Sequence, residues 1–323
     1  MTGAAGTVPL VPANSSIAFK GRKRKYPGGH IMPATDDTLS DIDDRFSQQL
    51  LSEQQFHRFQ SLIYDVVRVA LPDSKRFMLS GRLAKRLSAL KMDTFEEYWT
   101  YLENPDNLLR EKQAMLNVIT TNKTEFYRES YHFEYLVNTV LSELKRDTRG
   151  ARGDSVEIWS AGCSSGEEPY TIAMELANAL GIHQNFNVLA TDISTAVLHR
   201  AMQAVYEKSS IDPIPPVMKQ KYLLRGKGKF EGQYRISPEI RKHVTFGRLN
   251  FANDTYGIDR KFHAIFCRNV MIYFDRETQR NTIRKLCAHL QPFGYLFIGH
   301  SETLEPQMFN LKKMMPTVYR RTE

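Results

Sequence analysis

The stretch Val156–Tyr170, VEIWSAGCSSGEEPY, reads as a short apolar strand, a glycine-bearing turn, and the first turn of a helix that carries two adjacent carboxylates. A helix N-terminus has partial positive charge and unpaired N–H groups, so the usual guest of such a turn is a phosphate. Glu167 and Glu168 would repel a phosphate. They favour a ligand with cationic or hydroxyl-donor groups, and Gly162 and Gly166 would let the backbone come close to it. The Gly-x-x-x-Gly spacing is not the Gly-x-Gly-x-x-Gly of dinucleotide folds, and no Lys follows as in a P-loop.

Working outward, a helix TIAMELANAL is followed by an apolar strand FNVLATDIS that holds Asp192 near its end. That is where an α/β nucleotide fold places the acceptor for its ribose hydroxyls. An adenosine with a cationic amino-acid end describes S-adenosylmethionine. Each residue has a plainer alternative: Glu167 and Glu168 as companions of the helix dipole, Asp192 as a helix N-cap.

Four further segments bear on the choice: TTNKTEFYRES at Thr120–Ser130, RLN at Arg248–Asn250, IFCRNVMIYFD at Ile265–Asp275 and GYLFIGHSE at Gly294–Glu302. With the GEEPY turn, these resemble the chemotaxis receptor methyltransferases usually called CheR. The resemblance runs from about residue 50 to the C-terminus and leaves out the first ~45 residues. It implies an α/β fold: a doubly wound S-adenosylmethionine-dependent methyltransferase sheet with a small N-terminal helical domain and an inserted β-subdomain.

The pattern along the chain agrees with that architecture. Residues 1–45 are rich in Gly, Pro, Ala, Ser and Asp around a KGRKRK cluster at Lys20–Lys25 and are expected to be a disordered tail. Residues 46–119 form the helical domain. Ser52-x-x-Gln55 is a capping box ahead of a stripe of Phe56, Phe59, Ile63, Val66 and Val67, and Leu79, Leu83, Leu87 and Leu90 line a second helix. Asp93-Thr94 caps a third, and a fourth covers Leu108 to Ile119. Residues 120–150 are a linker and helix contributing to the site, and 151–323 the methyltransferase domain. Strands are expected at 156–161, 186–191, 244–249, 262–267 and 294–299, with helices near 167–180, 194–206 and 275–290 between them. Residues 317–321 read as a closing antiparallel strand. The sheet is interrupted by an insert at about 209–243 whose GKGKFEGQYRI reads as hairpin.

At 323 residues, 41% apolar and 25% charged, the chain has the composition of a soluble globular protein. No apolar run approaches the ~18 residues of a membrane span, and a cytoplasmic location is expected. Cys163, Cys267 and Cys287 are read as reduced thiols. No cluster has metal-ligand spacing. The net charge of +8 is uneven: Lys208–Arg248 holds ten Lys or Arg against three Asp or Glu, and Ser74–Met92 holds six basic residues and no acid. Two basic surfaces imply a partner with acidic faces, with nucleic acid as the alternative.

By resemblance, the cofactor is S-adenosylmethionine, with S-adenosylhomocysteine as product. The residues implied at it are Asn122, Thr124, Arg128, Glu168, Asp192, Asn250, Phe251, Arg268 and Asn269. Arg128 and Tyr273 are implied to align the reaction, with a wet-tipped core aromatic as the alternative for Tyr273. His300 is read as structural. The activity implied is methylation of glutamate side chains on the cytoplasmic helical domain of chemoreceptors, giving γ-glutamyl methyl esters. Arg82, Lys85 and Arg86, at i, i+3 and i+4 on one helix face, are expected to dock the receptor. Some relatives use the insert to capture a receptor's C-terminal tail peptide as an added strand, and Arg225, Lys227, Lys229 and Arg235 supply charge for that. Nucleic acid is not expected as a partner. Two rival readings stay open: an RNA methyltransferase, and a receptor-docking cofactor-binding scaffold without catalysis.

Overall fold

The computed structural model describes residues 11–12, 50–146 and 155–323. Most of the expected N-terminal tail, with its Lys20–Lys25 cluster, lies outside the described residues. Two compact units emerge: residues 50–60 with 72–119, and residues 61–71 with 120–323. The boundary differs from the expected 46–119 domain, because 61–71 belong with the sheet.

The helical unit holds the first half of α1 (Glu53–Val67), α2 (Arg76–Leu90), α3 (Phe95–Glu103) and α4 (Pro105–Ile119). The capping box forms as read: Gln55 N–H donates to Ser52 Oγ at 3.2 Å, and Ser52 N–H to Gln55 Oε1 at 3.0 Å. Thr94 caps α3 by accepting from Glu97 N–H at 3.1 Å. Leu79, Leu83 and Leu87 are fully buried, while Leu90 is only half-buried at the helix end. Arg86 departs from the expected docking trio. It forks onto buried Glu111 at 2.5 and 3.0 Å, and Tyr98 Oη donates to the same carboxylate at 3.0 Å. Arg82 Nη1 donates to the Ile119 carbonyl. Of the three cations only Lys85 is fully exposed. The i, i+3, i+4 spacing puts them on one face, but that face packs against α4.

In the larger unit, α5 (Tyr131–Tyr135) continues through a π-turn (Leu136–Val140) into α6 (Leu141–Arg146). The main sheet follows with interposed helices. In chain order its elements are a two-residue β1 (Val11–Pro12), β2 (Val156–Ala161), α7 (Glu167–Leu180), β3 (Phe186–Asp192) and α8 (Thr195–Gln203). The insert contributes β4 (Val205–Glu207), α9 (Pro216–Tyr222), β5 (Leu223–Arg225), β6 (Gln233–Ile236) and α10 (Pro238–Arg241). The sheet resumes with β7 (Val244–Arg248), β8 (Phe262–Cys267), α11 (Arg276–Ala288), β9 (Leu290–Ile298), β10 (Leu311–Met315) and β11 (Val318–Arg321). Spatial order is β1-β7-β3-β2-β8-β9-β11-β10, with β4-β6-β5 a separate small sheet. Strands β7, β3, β2, β8 and β9 run parallel, and β11 closes antiparallel on β9.

A parallel sheet buried on both faces needs apolar residues at consecutive positions. Ile158, Val188, Ala264 and Phe297 pack on one face, while Trp159, Leu189, Ile265 and Leu296 pack on the other. The two core clusters are thus the two sets of alternate residues in the same strands. All three cysteines are free and buried. Strand β10 was not anticipated: its LKKMM has only Leu311 buried, so the sequence offers little apolar signal for an edge strand. Among the described residues no helix is long and apolar enough to cross a membrane.

Candidate cofactor and active site

The turn after β2 decides the geometry. Gly162 and Gly166 have φ of 98° and 100°, which L side chains adopt only under strain. A Cβ on Gly162 would come within 2.3 Å of Val270 Cγ2, and one on Gly166 within 2.9 Å of Ala201 Cβ and Tyr206 Oη. At the position a Cβ would take, both glycines lie close to the protein's own side chains.

Glu167 and Glu168 do not act as a pair. Glu167 is buried against Ser165, whose Oγ donates to it at 2.8 Å. Glu168 faces the other way, where Ser160 Oγ donates at 2.7 Å and Arg268 Nη1 lies 3.2 Å from Oε2. Burial pushes the Glu168 carboxyl upward, against the pull of Arg268 and Ser160. Asp192 ends β3 and accepts Ser164 N–H on Oδ2 and Ser194 N–H on Oδ1, both at 2.9 Å. It clamps the glycine turn to the start of α8, while Ser194 is the helix cap. Burial raises its carboxyl too. A carboxylate has about four acceptor sites, and Ile193 N–H also bonds to this one, so one acceptor site is left for a hydroxyl donor.

The 120–129 segment reaches this turn: Ser164 Oγ donates to the Asn122 carbonyl at 2.8 Å. Asn122 and Thr124 are half-buried there. Arg128 Nη1 donates to the Lys123 carbonyl at 3.2 Å, and its charge is felt at Glu168. Arg268, with a side chain 2% exposed, lies between Glu168 and Glu129, 3.3 Å from Glu129 Oε2, and donates to the Arg128 carbonyl. Its guanidinium also lies 5.5 Å from the Phe133 ring centre.

Glu129 and Glu302 escaped the sequence reading. Glu129 gathers Arg268 and His300, whose Nδ1 is 2.8 Å from Oε1. Burial pushes the Glu129 carboxyl up, but the His300 hydrogen bond and the Arg268 charge hold it below the usual carboxylate value. His300 joins the Glu129 and Arg268 cluster through a largely exposed ring. Glu302 accepts four backbone N–H groups: Gly299 at 2.6 Å and Asn269 at 3.0 Å on Oε2, Val270 at 2.9 Å and Met271 at 2.7 Å on Oε1. Carboxylate-to-backbone bonds leave no periodicity in a sequence. The only hint was the presence of Glu302 at the end of the GYLFIGHSE segment.

Tyr127, Glu129, Ser164 and Asn269 all have φ between 48° and 58°, a left-handed backbone that costs a non-glycine residue energy and collects at functional sites. Tyr273 lies on the short 3-10 turn Met271–Tyr273, half-buried against the second core cluster.

Two expected cofactor residues make contacts within the protein. Asn250 Nδ2 donates to the Val66 carbonyl at 2.8 Å, and its Oδ1 accepts Ala252 N–H at 3.0 Å, so the carboxamide holds α1 and its own turn. Phe251 is 9% exposed, edge-on to Tyr256 and Phe274. It reads as core. In the insert, Arg225, Lys227 and Lys229 are exposed, but Arg235 is half-buried with its Nε sealed away from any acceptor. Burial and neighbouring Arg241 lower its affinity for the proton, which is a poor setting for a docking cation.

The fold and site define a class: an α/β sheet whose C-terminal edge sets Glu168 and Glu129 beside Arg268, with Asp192 on the neighbouring turn. S-adenosylmethionine, with ribose hydroxyls, an ammonium, a sulfonium and a carboxylate, fits that donor set. Residues 122–320 match the family described as CheR methyltransferase, SAM binding domain, and residues 54–120 match CheR methyltransferase, all-alpha domain. The chain is 40% identical over 270 residues to a chemotaxis protein methyltransferase of Salmonella typhimurium, covering 83% of this chain and 90% of that protein. The Escherichia coli protein of that name is 40% identical over 253 residues, 78% of this chain and 85% of its own. That of Borreliella burgdorferi is 36% identical over 274 residues, 84% and 95%. The chain belongs to the CheR methyltransferase family, and its cofactor is S-adenosylmethionine.

Proposed function

We propose that the chain methylates glutamate side chains on the cytoplasmic helical domain of chemoreceptors, and that it works in the cytoplasm. The observation that carries this reading is Arg128, whose hydrogen bond among the described residues is to a backbone carbonyl, beside a sheet edge where Arg268 already lies between Glu168 and Glu129. One guanidinium is left to meet an incoming carboxylate, for which its planar fork is suited.

A glutamate side chain has an unperturbed pKa of ~4.3, so the nucleophile is ionised at neutral pH and needs no general base. When bound, S-adenosylmethionine supplies an electrophilic methyl on a sulfonium. The protein's task is alignment and exclusion of water. Asp192 and Glu168 are assigned to the hydroxyl and cationic groups of the cofactor, with Asn122, Thr124 and Asn269 completing its surround. Arg128 orients the carboxylate to be methylated, and the Tyr273 hydroxyl lies on the approach. The substrate oxygen ends as a γ-glutamyl methyl ester and the sulfonium as the neutral thioether of S-adenosylhomocysteine.

Docking is assigned to Lys85 on the helical unit and to Arg225, Lys227 and Lys229 on the insert. Strand β5 pairs with β6 alone within its sheet, which supports addition of a receptor tail peptide to its outer edge. The deciding experiment is incubation with labelled methyl donor and receptor-containing membranes, followed by alkaline release of volatile methanol. Base-labile label on protein is the expected result. Label on RNA, or none on either, overturns the reading.

A further inference from the structure

Glu302 is 6% exposed and accepts four hydrogen bonds from protein backbone, one of them from Asn269 of the expected cofactor set. Three donors, Asn269, Val270 and Met271, are consecutive residues of the loop after β8, and the fourth is Gly299 at the end of β9. Three successive N–H groups converge on one carboxylate only if the chain curls, and Asn269 supplies the curl with φ of 58°. A neutral acceptor would not hold a non-glycine residue in that conformation as firmly, since hydrogen bonds to an ionised group are roughly twice as strong.

The curled loop sits between two parts of the site. At its start Arg268 bridges Glu168 and Glu129, and at its end stands the turn bearing Tyr273. Val270, in its middle, presses on Gly162 of the cofactor turn, and Gly299 abuts Asn269 so closely that a Cβ there would meet Asn269 Nδ2 at 2.4 Å. The geometry assigns Glu302 as a positioning residue for methyl transfer: its carboxylate fixes the 268–273 loop, and through it the placement of Asn269 against the cofactor and of Tyr273 against the reacting methyl. This rests on the reading of the site given above. Burial raises the Glu302 carboxyl while the four N–H groups pull it down, and Cys267 is the titratable neighbour that feels its charge.

The test is Glu302→Gln in the full chain, with Gly299→Ala as a second variant that pushes on Asn269 and leaves the carboxylate in place. In the glutamine variant one amide oxygen remains to accept, while the NH2 group faces the other two backbone donors. Both variants are expected to weaken S-adenosylhomocysteine about tenfold by calorimetry at full binding stoichiometry. They should also lower kcat at least about tenfold, with the KM for receptor unchanged, because a misplacement of about 1 Å at the reacting centre costs up to about a hundredfold. A merely structural Glu302 gives a different result: reduced stoichiometry, with unaltered affinity and unaltered turnover per binding site. That outcome overturns the assignment, as does wild-type affinity and turnover in a folded Glu302→Gln protein. If Glu302→Gln does not fold, Gly299→Ala decides by the same measures. If wild-type protein binds the product but methylates no receptor, the receptor reading fails, while the calorimetric comparison still judges Glu302.

Discussion

Arg268 Nη1 and Glu168 Oε2 stand 3.2 Å apart in a setting where the arginine side chain is 2% exposed and the glutamate 14%. This buried ion pair joins the end of β8 to the first turn of α7, so the cofactor turn and the 268–273 loop share one electrostatic contact. Removing one member of such a pair leaves a buried charge alone, which typically costs about 3–5 kcal/mol. Arg268→Met is therefore expected to lower the melting temperature sharply. Arg268→Met with Glu168→Gln should recover only part of that loss, because Glu129 stays without its arginine, and should not restore methylation. Thermal melts of the single and double variants, with turnover on the same samples, check this.

Asp192→Asn is expected to weaken S-adenosylhomocysteine and to loosen the protein even when no ligand is present. The carboxylate accepts from Ser164 and Ser194 N–H as well as being assigned to the cofactor, and each hydrogen bond to a charged group is worth about 1.5–3 kcal/mol. Calorimetry and melting should move together. Weakened binding with an unchanged melt would mean that the backbone contacts contribute little.

Lys85→Glu and Arg86→Glu should part company. Lys85 is exposed, so its reversal should slow receptor methylation in a salt-dependent way and leave the melt in place. Arg86 neutralises Glu111 inside the helical unit, so its reversal sets two carboxylates together and should unfold that unit first. Melts and rates at two ionic strengths distinguish them, and a stable Arg86→Glu protein would contradict the packing role.

His132 governs an acid limb of stability. Its ring is buried, with Nε2 2.8 Å from Thr317 Oγ1. Burial, aided by the Arg268 charge and opposed by Glu129, lowers its pKa from 6.5 to about 3. In the unfolded chain a histidine binds its proton near pH 6.5, so between that value and about 3 the unfolded state holds more protons. Stability is full above pH 6.5 and falls as the pH drops through the window, by up to about 1.4 kcal/mol per pH unit. His132→Gln should flatten the fall. Denaturant unfolding at pH 7.5 and 5.5 is the measurement, and an equal loss in wild type and variant would place the acid sensitivity elsewhere.

What the sequence made legible followed from periodicity and caps. The buried strands announced themselves because both faces are covered, and the Ser52 and Thr94 caps because their partners lie three residues away. The GEEPY turn stood out because it follows an apolar strand, where α/β sheets carry ligands, while Arg268 and Asn269 entered through the family resemblance. What stayed hidden involves partners far apart in the chain: the pairing of Arg86 with Glu111, the turning apart of Glu167 and Glu168, and the holding of Val66 by Asn250. Side-chain spacing says which face a residue occupies but not what the rest of the chain brings to that face. Glu302 was hidden most completely, since backbone N–H groups have no letter in a sequence.

Residues 61–71 interrupt the all-alpha stretch in the chain and pack with the sheet, and this bears on how the protein can be cut. Asn250 holds the Val66 carbonyl at 2.8 Å, Ala70 N–H donates to the Tyr273 carbonyl at 2.9 Å, and Tyr64 Oη donates to Asp275 at 2.6 Å. An expression fragment beginning at 120 would carry every residue assigned to the cofactor but lose the contacts behind the Tyr273 turn. Such a truncation would leave the turn frayed and apolar surface open to aggregation, so activity could not be dissected away from the N-terminal segment by a single cut. A peptide spanning 61–71, added in trans, would be the natural complement to restore it.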